Sequence, residues 1–146
     1  MTVDANKGLD NEYILDQQVG YLLRMASQRH ATIFQGHSLM DLTPTQFSVI
    51  LRINEYGPCS QNHLGRLVSL DVATIKGVVD RLHQKKLVKL EPSMEDKRKI
   101  IISLTTAADQ IMENLHTAGK SISEETLRPL SRNEHTKLLQ LLRKIT

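Results

Sequence analysis

Residues 60–105 read SQNHLGRLVSLDVATIKGVVDRLHQKKLVKLEPSMEDKRKIIISLT, and their order of patterns decides the fold. Two short helical patterns come first, and two strand patterns around a basic tip follow. In the second helix Val72, Ile75, Val78, Val79 and Leu82 recur at helical spacing, which predicts one apolar stripe turned toward a core. The opposite face holds Ala73, Thr74, Lys76, Gly77 and Arg81, a short and polar set. Gly77 singles that face out: glycine inside a helix costs about 1 kcal/mol relative to alanine, and close approach of another surface would compensate. Asp71 is the expected N-cap. The first turn then projects free backbone N–H groups, which suit a phosphate or a base edge.

The hairpin follows at once. Leu87-Val88-Lys89-Leu90 reads as one strand and the β-branched Ile100-Ile101-Ile102-Ser103-Leu104 as a stronger one, with Pro92 to Lys99 as the turn between them. Lys97, Arg98 and Lys99 then sit near its tip. An arginine on a slender hairpin fits a narrow minor groove, where the negative potential is enhanced. Helix, helix and basic hairpin make a winged helix-turn-helix. The expected fold class is therefore mainly α with a small β wing (α+β), the winged unit joined to a helical dimerisation lobe.

The segments LGRLV (64–68), ATIKGVVDRL (73–82) and DKRKIIISLTT (96–106) together resemble the DNA-binding lobe of the multiple antibiotic resistance regulator (MarR) family of bacterial transcription factors. The family's wing pattern, Asp-x-Arg before a strand and Leu-Thr, is matched by Asp96, Arg98, Leu104 and Thr105. The resemblance covers nearly the whole chain. It implies a triangular homodimer with a winged helix at each lower corner, and a repressor released by a small ligand, commonly a phenolic or aromatic acid. RHATIF (29–34) with SQNHLGR (60–66) resembles members acting on aromatic catabolism. Two positions depart from the pattern: Lys86 stands where the family usually has a glycine, and Leu90 where it commonly has an arginine.

The totals agree with such a protein. A chain of 146 residues fits one compact protomer with two lobes. With 40% hydrophobic and 24% charged residues, the composition is that of an ordinary globular protein. No apolar run approaches a membrane span and MTVDANKGLDNEY lacks a signal-peptide pattern, so the expected location is the bacterial cytoplasm, at the nucleoid. The single cysteine excludes an intramolecular disulfide and any multi-cysteine zinc site. Net charge is +3, but from Ser60 to Ile100 nine Lys/Arg face five acids, so the excess positive charge is concentrated in the proposed winged helix.

Along the chain, residues 1–10 are expected to be a flexible N-terminus. A long helix is expected from Asn11 to about Gly36, with Ile14, Leu15, Val19, Leu22, Leu23, Ala26, Ile33 and Phe34 on more than one side. Thr43, Pro44 and Gln46 predict a capping box with proline at the first helical position, and Gly57-Pro58 ends that helix. Its expected buried residues are Phe47, Ile50, Leu51 and Ile53. Ser60 caps the next helix, with Leu64, Leu67 and Val68 inward. Thr105 or Thr106 opens a helix to about Arg128, Pro129 stops it, and a Ser131–Glu134 capping box opens the last. Residues 11–40 and 106–146 are read as dimerisation helices and 41–105 as the DNA-binding lobe, all within one intertwined domain. Their surplus of leucine and isoleucine marks an interface.

The expected DNA contacts fall into two groups. Ala73, Thr74, Lys76 and Gly77 read base edges in the major groove. Ser60, Gln61, Asn62, Arg66 and Arg81 grip phosphates, and Lys97 and Arg98 occupy the wing, with Arg98 in the minor groove and oriented by Asp96. Lys85, Lys86 and Lys89 read as solubility charges. A symmetric dimer predicts a pseudo-palindromic operator with half-sites ~34–36 Å apart. For the ligand, Arg24 and His30 are candidates to clamp a carboxylate beside Ser27, with Phe47, Ile50 and Met112 as apolar walls.

Two other readings stand beside this one. Cys59 precedes a helix N-terminus, where a thiolate is stabilised, which leaves a redox-responsive regulator open. A helical dimer that binds another protein is the second. Enzymatic motifs are missing: there is no nucleophile elbow, zinc-protease helix, phosphate loop or dinucleotide fingerprint, and the six histidines lack metal-ligand spacing. No cofactor or metal is expected.

Overall fold

A computed structural model describes residues 12–37 and 39–146. It comprises α1 (Val19–Gly36), α2 (Pro44–Tyr56), β1 (Cys59–Ser60), α3 (Gln61–Leu67), α4 (Val72–Gln84), β2 (Val88–Pro92), β3 (Ile100–Leu104), α5 (Thr106–Leu127) and α6 (Arg132–Lys144). The strands form one antiparallel sheet in the order β1-β3-β2, with Cys59 and Leu90 both registered on Ile102. No described helix is long and apolar enough to cross a membrane.

Side-chain caps set most boundaries. Thr43 Oγ1 accepts from the Gln46 N–H while the Gln46 side chain accepts from the Thr43 N–H, so α2 opens on a full capping box with Pro44 in its first turn. Gly57 ends α2 at φ +81°, a conformation that favours glycine. Ser60, Asp71, Thr105 and Ser131 cap α3, α4, α5 and α6, and Glu134 completes a second box.

The core lies inside the winged unit and at its junction with α5. Val49, Ile50 and Ile53 of α2 meet Leu64 of α3, Ile75, Val79 and Leu82 of α4, Val88 and Ile102 of the sheet, and Leu115 of α5. Gln46 is the polar residue buried here, and its Oε1 accepts from Lys85 Nζ at 3.3 Å, while the same ammonium donates to the Asp41 carbonyl at 2.7 Å. Lys85 is thus a structural tie and not a solubility charge. Above the core, Phe34 of α1 packs edge-on against Phe47 with ring centroids 5.6 Å apart.

Four expectations need correction. The first helix begins at Val19, because Gln18 is extended and Leu15–Gln17 form a separate 3-10 turn, onto whose preceding Ile14 carbonyl the Gln18 amide donates; Asn11 and residues 1–10 lie outside the described residues. Val72 does not join the buried stripe: it is 68% exposed, because the first turn of α4 extends past the core. The hairpin gains a partner, the two-residue β1, too short to leave a pattern of its own. Pro92 belongs to β2, where it is tolerated because β2 is an edge strand.

Lys86 answers the departure noted at its position. Its φ is +62°, and the bonds Lys86 N–H to the His83 carbonyl and Leu87 N–H to the Leu82 carbonyl, both 3.0 Å, close the end of α4. The lysine adopts the left-handed turn that a glycine would take without strain. The left-handed conformation costs a side-chain-bearing residue roughly 1 kcal/mol, and glycine's extra freedom in the unfolded chain offsets part of that. Lys86→Gly is therefore expected to stabilise the protein by about 0.5 kcal/mol. A urea unfolding midpoint that stays put or falls would refute this account of the turn.

Candidate nucleic-acid interface

Burial of Ile75, Val78, Val79 and Leu82 fixes the rotation of α4, and its other side is left to solvent. Ala73, Thr74, Lys76, Gly77 and Arg81 all lie exposed there. At Gly77 an added Cβ would meet nothing within 4 Å, so no neighbour in the fold requires a glycine. The open space is on the outside, where a partner surface would approach.

Asp71 Oδ1 accepts the Thr74 N–H at 2.7 Å, and this backbone bond, with the Thr74 side chain close by, holds its carboxyl below the usual carboxylate range. Lys76 Nζ is paired with Asp80 at 2.9 Å, one turn along the exposed face. Both side chains are largely solvated, so the pair is a weak one and readily exchanged for a base edge.

The wing is a tight turn with three exposed cations, Lys97, Arg98 and Lys99. Ser93 N–H donates to the Lys99 carbonyl and Lys99 N–H to the Asp96 carbonyl, closing the loop at 2.8 and 2.9 Å. Asp96 then faces Arg98: Oδ1 accepts from Nε and from the backbone N–H, both at 3.1 Å, and Oδ2 accepts from Nη2 at 3.3 Å. The arginine lowers the Asp96 carboxyl from its ordinary value. The Arg98 side chain remains 91% exposed, so it is oriented without being covered. Lys97 beside it is exposed as well.

Folding brings the start of α3 against this wing. Ser60, Gln61, Asn62 and Arg66 line a notch of about 370 Å³ together with Arg98, Lys99 and Ile100. Two of those cations are thirty-two residues apart in sequence. The expected phosphate grippers of α3 and the wing arginine thus share one basic surface, with Arg81 farther along α4.

The expected ligand residues do not converge in the same way. Arg24 and Ser27 are exposed on α1, and the Arg24 guanidinium lies 5.5 Å from the Tyr21 ring centroid. His30 is half-buried and shares a 2.8 Å hydrogen bond with Thr126 Oγ1. Ile50 has no exposed surface and Met112 only 7%, so both are core residues and not walls of an open site. Phe47 does border a cleft, of about 550 Å³, completed by Leu51, His116, Gly119, Lys120, Ser123 and Glu124 between α2 and α5. The α5 residues went unread because their spacing carries no signal apart from ordinary helix polarity.

Cys59 belongs to β1, and its partial burial pushes the thiol above its usual pKa. Burial thus works against the thiolate that the neighbouring helix end was expected to favour.

Fold and surface define a winged helix-turn-helix protein built to lie on nucleic acid. Comparison with known proteins places it within that class. The family model described as MarR family matches residues 42–100. The HTH-type transcriptional repressor NicR of Pseudomonas putida is 38% identical over 146 residues, spanning 99% of this chain and 92% of its own. Among solved structures, Bordetella bronchiseptica BpsR, whose DNA binding is described as regulated by 6-hydroxynicotinic acid, has a TM-score of 0.86 at 33% identity, over 92% of this chain and 96% of its own. A mutant MarR from Escherichia coli complexed with operator DNA has a TM-score of 0.79 at 29% identity, over 87% and 92%. The chain belongs to the MarR family of transcriptional regulators, and it is not an enzyme.

Two outcomes follow from this geometry. Gly77→Ala should stabilise the isolated protein by up to about 1 kcal/mol, since the helix gains and nothing clashes, yet weaken DNA binding; stability by urea and affinity by titration must move in opposite directions. The second concerns acid. Asp71, Asp96 and Glu134 all have carboxyls lowered by hydrogen bonds made in the fold. Their folded values lie below the unfolded ones, so their stabilisation is complete above the ordinary carboxylate range and is lost as pH falls through the folded values. Unfolding midpoints are expected to decline between about pH 5 and pH 2, and replacing all three by the amides should flatten that slope.

Proposed function

We propose that the chain acts as a homodimeric repressor that binds a pseudo-palindromic operator and is released by a small aromatic acid. The observation that carries the DNA half is the continuous exposed surface from the outward side of α4, through the start of α3, to an Arg98 already oriented by Asp96. Ala73, Thr74, Lys76 and Gly77 are assigned to base edges, Ser60, Gln61, Asn62, Arg66 and Arg81 to phosphates, and Arg98 with Lys97 to the minor groove.

Residues 11–40 and 106–146 are assigned to the dimer. The support is unpartnered apolar surface: Val19, Leu22, Leu23 and Met25 on α1 and Leu139 and Leu141 on α6 are each 42% exposed or more. Surfaces of this kind mark interfaces. A twofold axis through them presents two α4 helices to one face of the duplex, with half-sites ~34–36 Å apart.

The ligand site is assigned to the cleft between α2 and α5. Its volume of about 550 Å³ holds a small aromatic acid, Phe47 and Leu51 supply apolar contact, Lys120 supplies a cation for a carboxylate and His116 a ring nitrogen for a hydrogen bond. The regulation of BpsR by 6-hydroxynicotinic acid supports an aromatic acid of that kind. Such a ligand would touch both the scaffold helix of the winged unit and the long helix of the dimer lobe.

The test is titration onto DNA from the protein's own upstream region at two salt concentrations, with Arg98→Ala beside the wild type. Specific affinity that falls with salt and drops about tenfold or more in the variant is expected. Hydroxynicotinic and hydroxybenzoic acids added to the same complex should release it, less so with Lys120→Ala. Equal binding to random DNA by wild type and variant would overturn the reading in favour of a protein-binding dimer.

A further inference from the structure

The first turn of α4 carries aliphatic surface that neither core packing nor phosphate binding uses. Val72 is 68% exposed although Ile75, one turn on, is 1% exposed. Ala73 lies beside it, and Gly77 behind it leaves open space. In the free protein the polar groups of this turn have local partners: the Thr74 N–H bonds the Asp71 cap, and the Lys76 ammonium pairs weakly with Asp80. Beside Thr74 and Lys76, the leading end of the helix presents the exposed methyl groups of Val72 and Ala73.

Val72 also lies on the same surface as the cations. It lines a notch of about 410 Å³ with Asn62 and Arg66, and those two residues in turn line the wing-side notch with Arg98. Placed against a major groove by those cations, an aliphatic side chain meets base edges. Thymine is the base that offers a methyl group there, and apolar contact with that methyl favours it over bases that lack one.

We propose that Val72, flanked by Ala73, reads thymine methyl groups, so that each operator half-site carries thymine opposite the first turn of α4. This inference rests on the DNA-binding reading above and adds the base to it.

The experiment uses full-length protein and a duplex carrying the upstream segment that it protects. Each thymine of the half-site is replaced in turn by deoxyuridine, which removes only the methyl, and wild type is compared with Val72→Ala and with Val72→Thr, which keeps one methyl. At one or two positions wild-type affinity is expected to fall roughly fourfold, the value of one buried methyl. Val72→Ala should bind the thymine duplex more weakly and lose most of that sensitivity, with Val72→Thr between. Because Val72 is solvent-exposed, both variants are expected to unfold at the wild-type urea midpoint. Specific binding indifferent to every substitution would overturn the inference while leaving the regulator reading intact, as would full sensitivity retained in Val72→Ala. Absence of any specific wild-type binding would overturn both.

Discussion

The close approach of α3 to α4 at Gly65 is the constraint on which the rest of this structure depends. Gly65 is buried, and a Cβ there would stand 3.2 Å from the Leu70 carbonyl oxygen and 3.3 Å from Ile75 Cγ2. The Leu70 N–H closes the turn on the Gly65 carbonyl at 2.9 Å, helped by Ser69 at φ +57°. With no side chain between the helices, Ile75 reaches the core and sets the rotation of α4 about its axis. The outward face, Gly77 included, follows from that rotation.

The wing meets a different requirement. A long arginine loses rotamer freedom on binding, which subtracts from affinity unless the side chain is ordered beforehand. Asp96 supplies that order with two oxygens on one guanidinium and a bond to the same residue's backbone, inside a loop closed by Ser93 and Lys99. Because the pair is open to solvent, the carboxylate orients the arginine and holds it weakly. Phosphates can therefore take over the remaining donors at small cost.

The first helix is tied to the far end of α5 by hydrogen bonds. Arg29 donates to the Glu125 and Thr126 carbonyls at 2.9 and 2.6 Å, at the C-terminal end of α5, where the helix dipole favours its positive charge, and His30 bonds Thr126 and His37 bonds Glu125 beside it. The same α5 begins beside the sheet, with Ala108 and Met112 in the core of the winged unit. One continuous helix therefore joins the winged unit to the residues that hold α1. In the proposed mechanism a ligand wedged between α2 and α5 changes the distance between the two α4 helices through that connection.

Local chemistry made much of this legible from residue order. The caps at Thr43, Ser60, Asp71, Thr105 and Ser131 depend on neighbours three residues away, so they read correctly in one dimension. The stripe of α4 and the Asp96–Arg98 pair are local in the same sense. What depended on distant contacts was decided by the tertiary structure. Val72 has the spacing of a core residue but no partner opposite it, Lys85 ties α4 to Gln46 across thirty-nine residues, and β1 exists only because β3 lies beside it. Ile50 and Met112 suited a ligand wall by chemistry until packing enclosed them, and Cys59 had a thiolate's position until burial raised its pKa. Periodicity and capping are set by bonds within a few residues; solvent exposure and electrostatic surroundings are set by whatever the rest of the chain brings near.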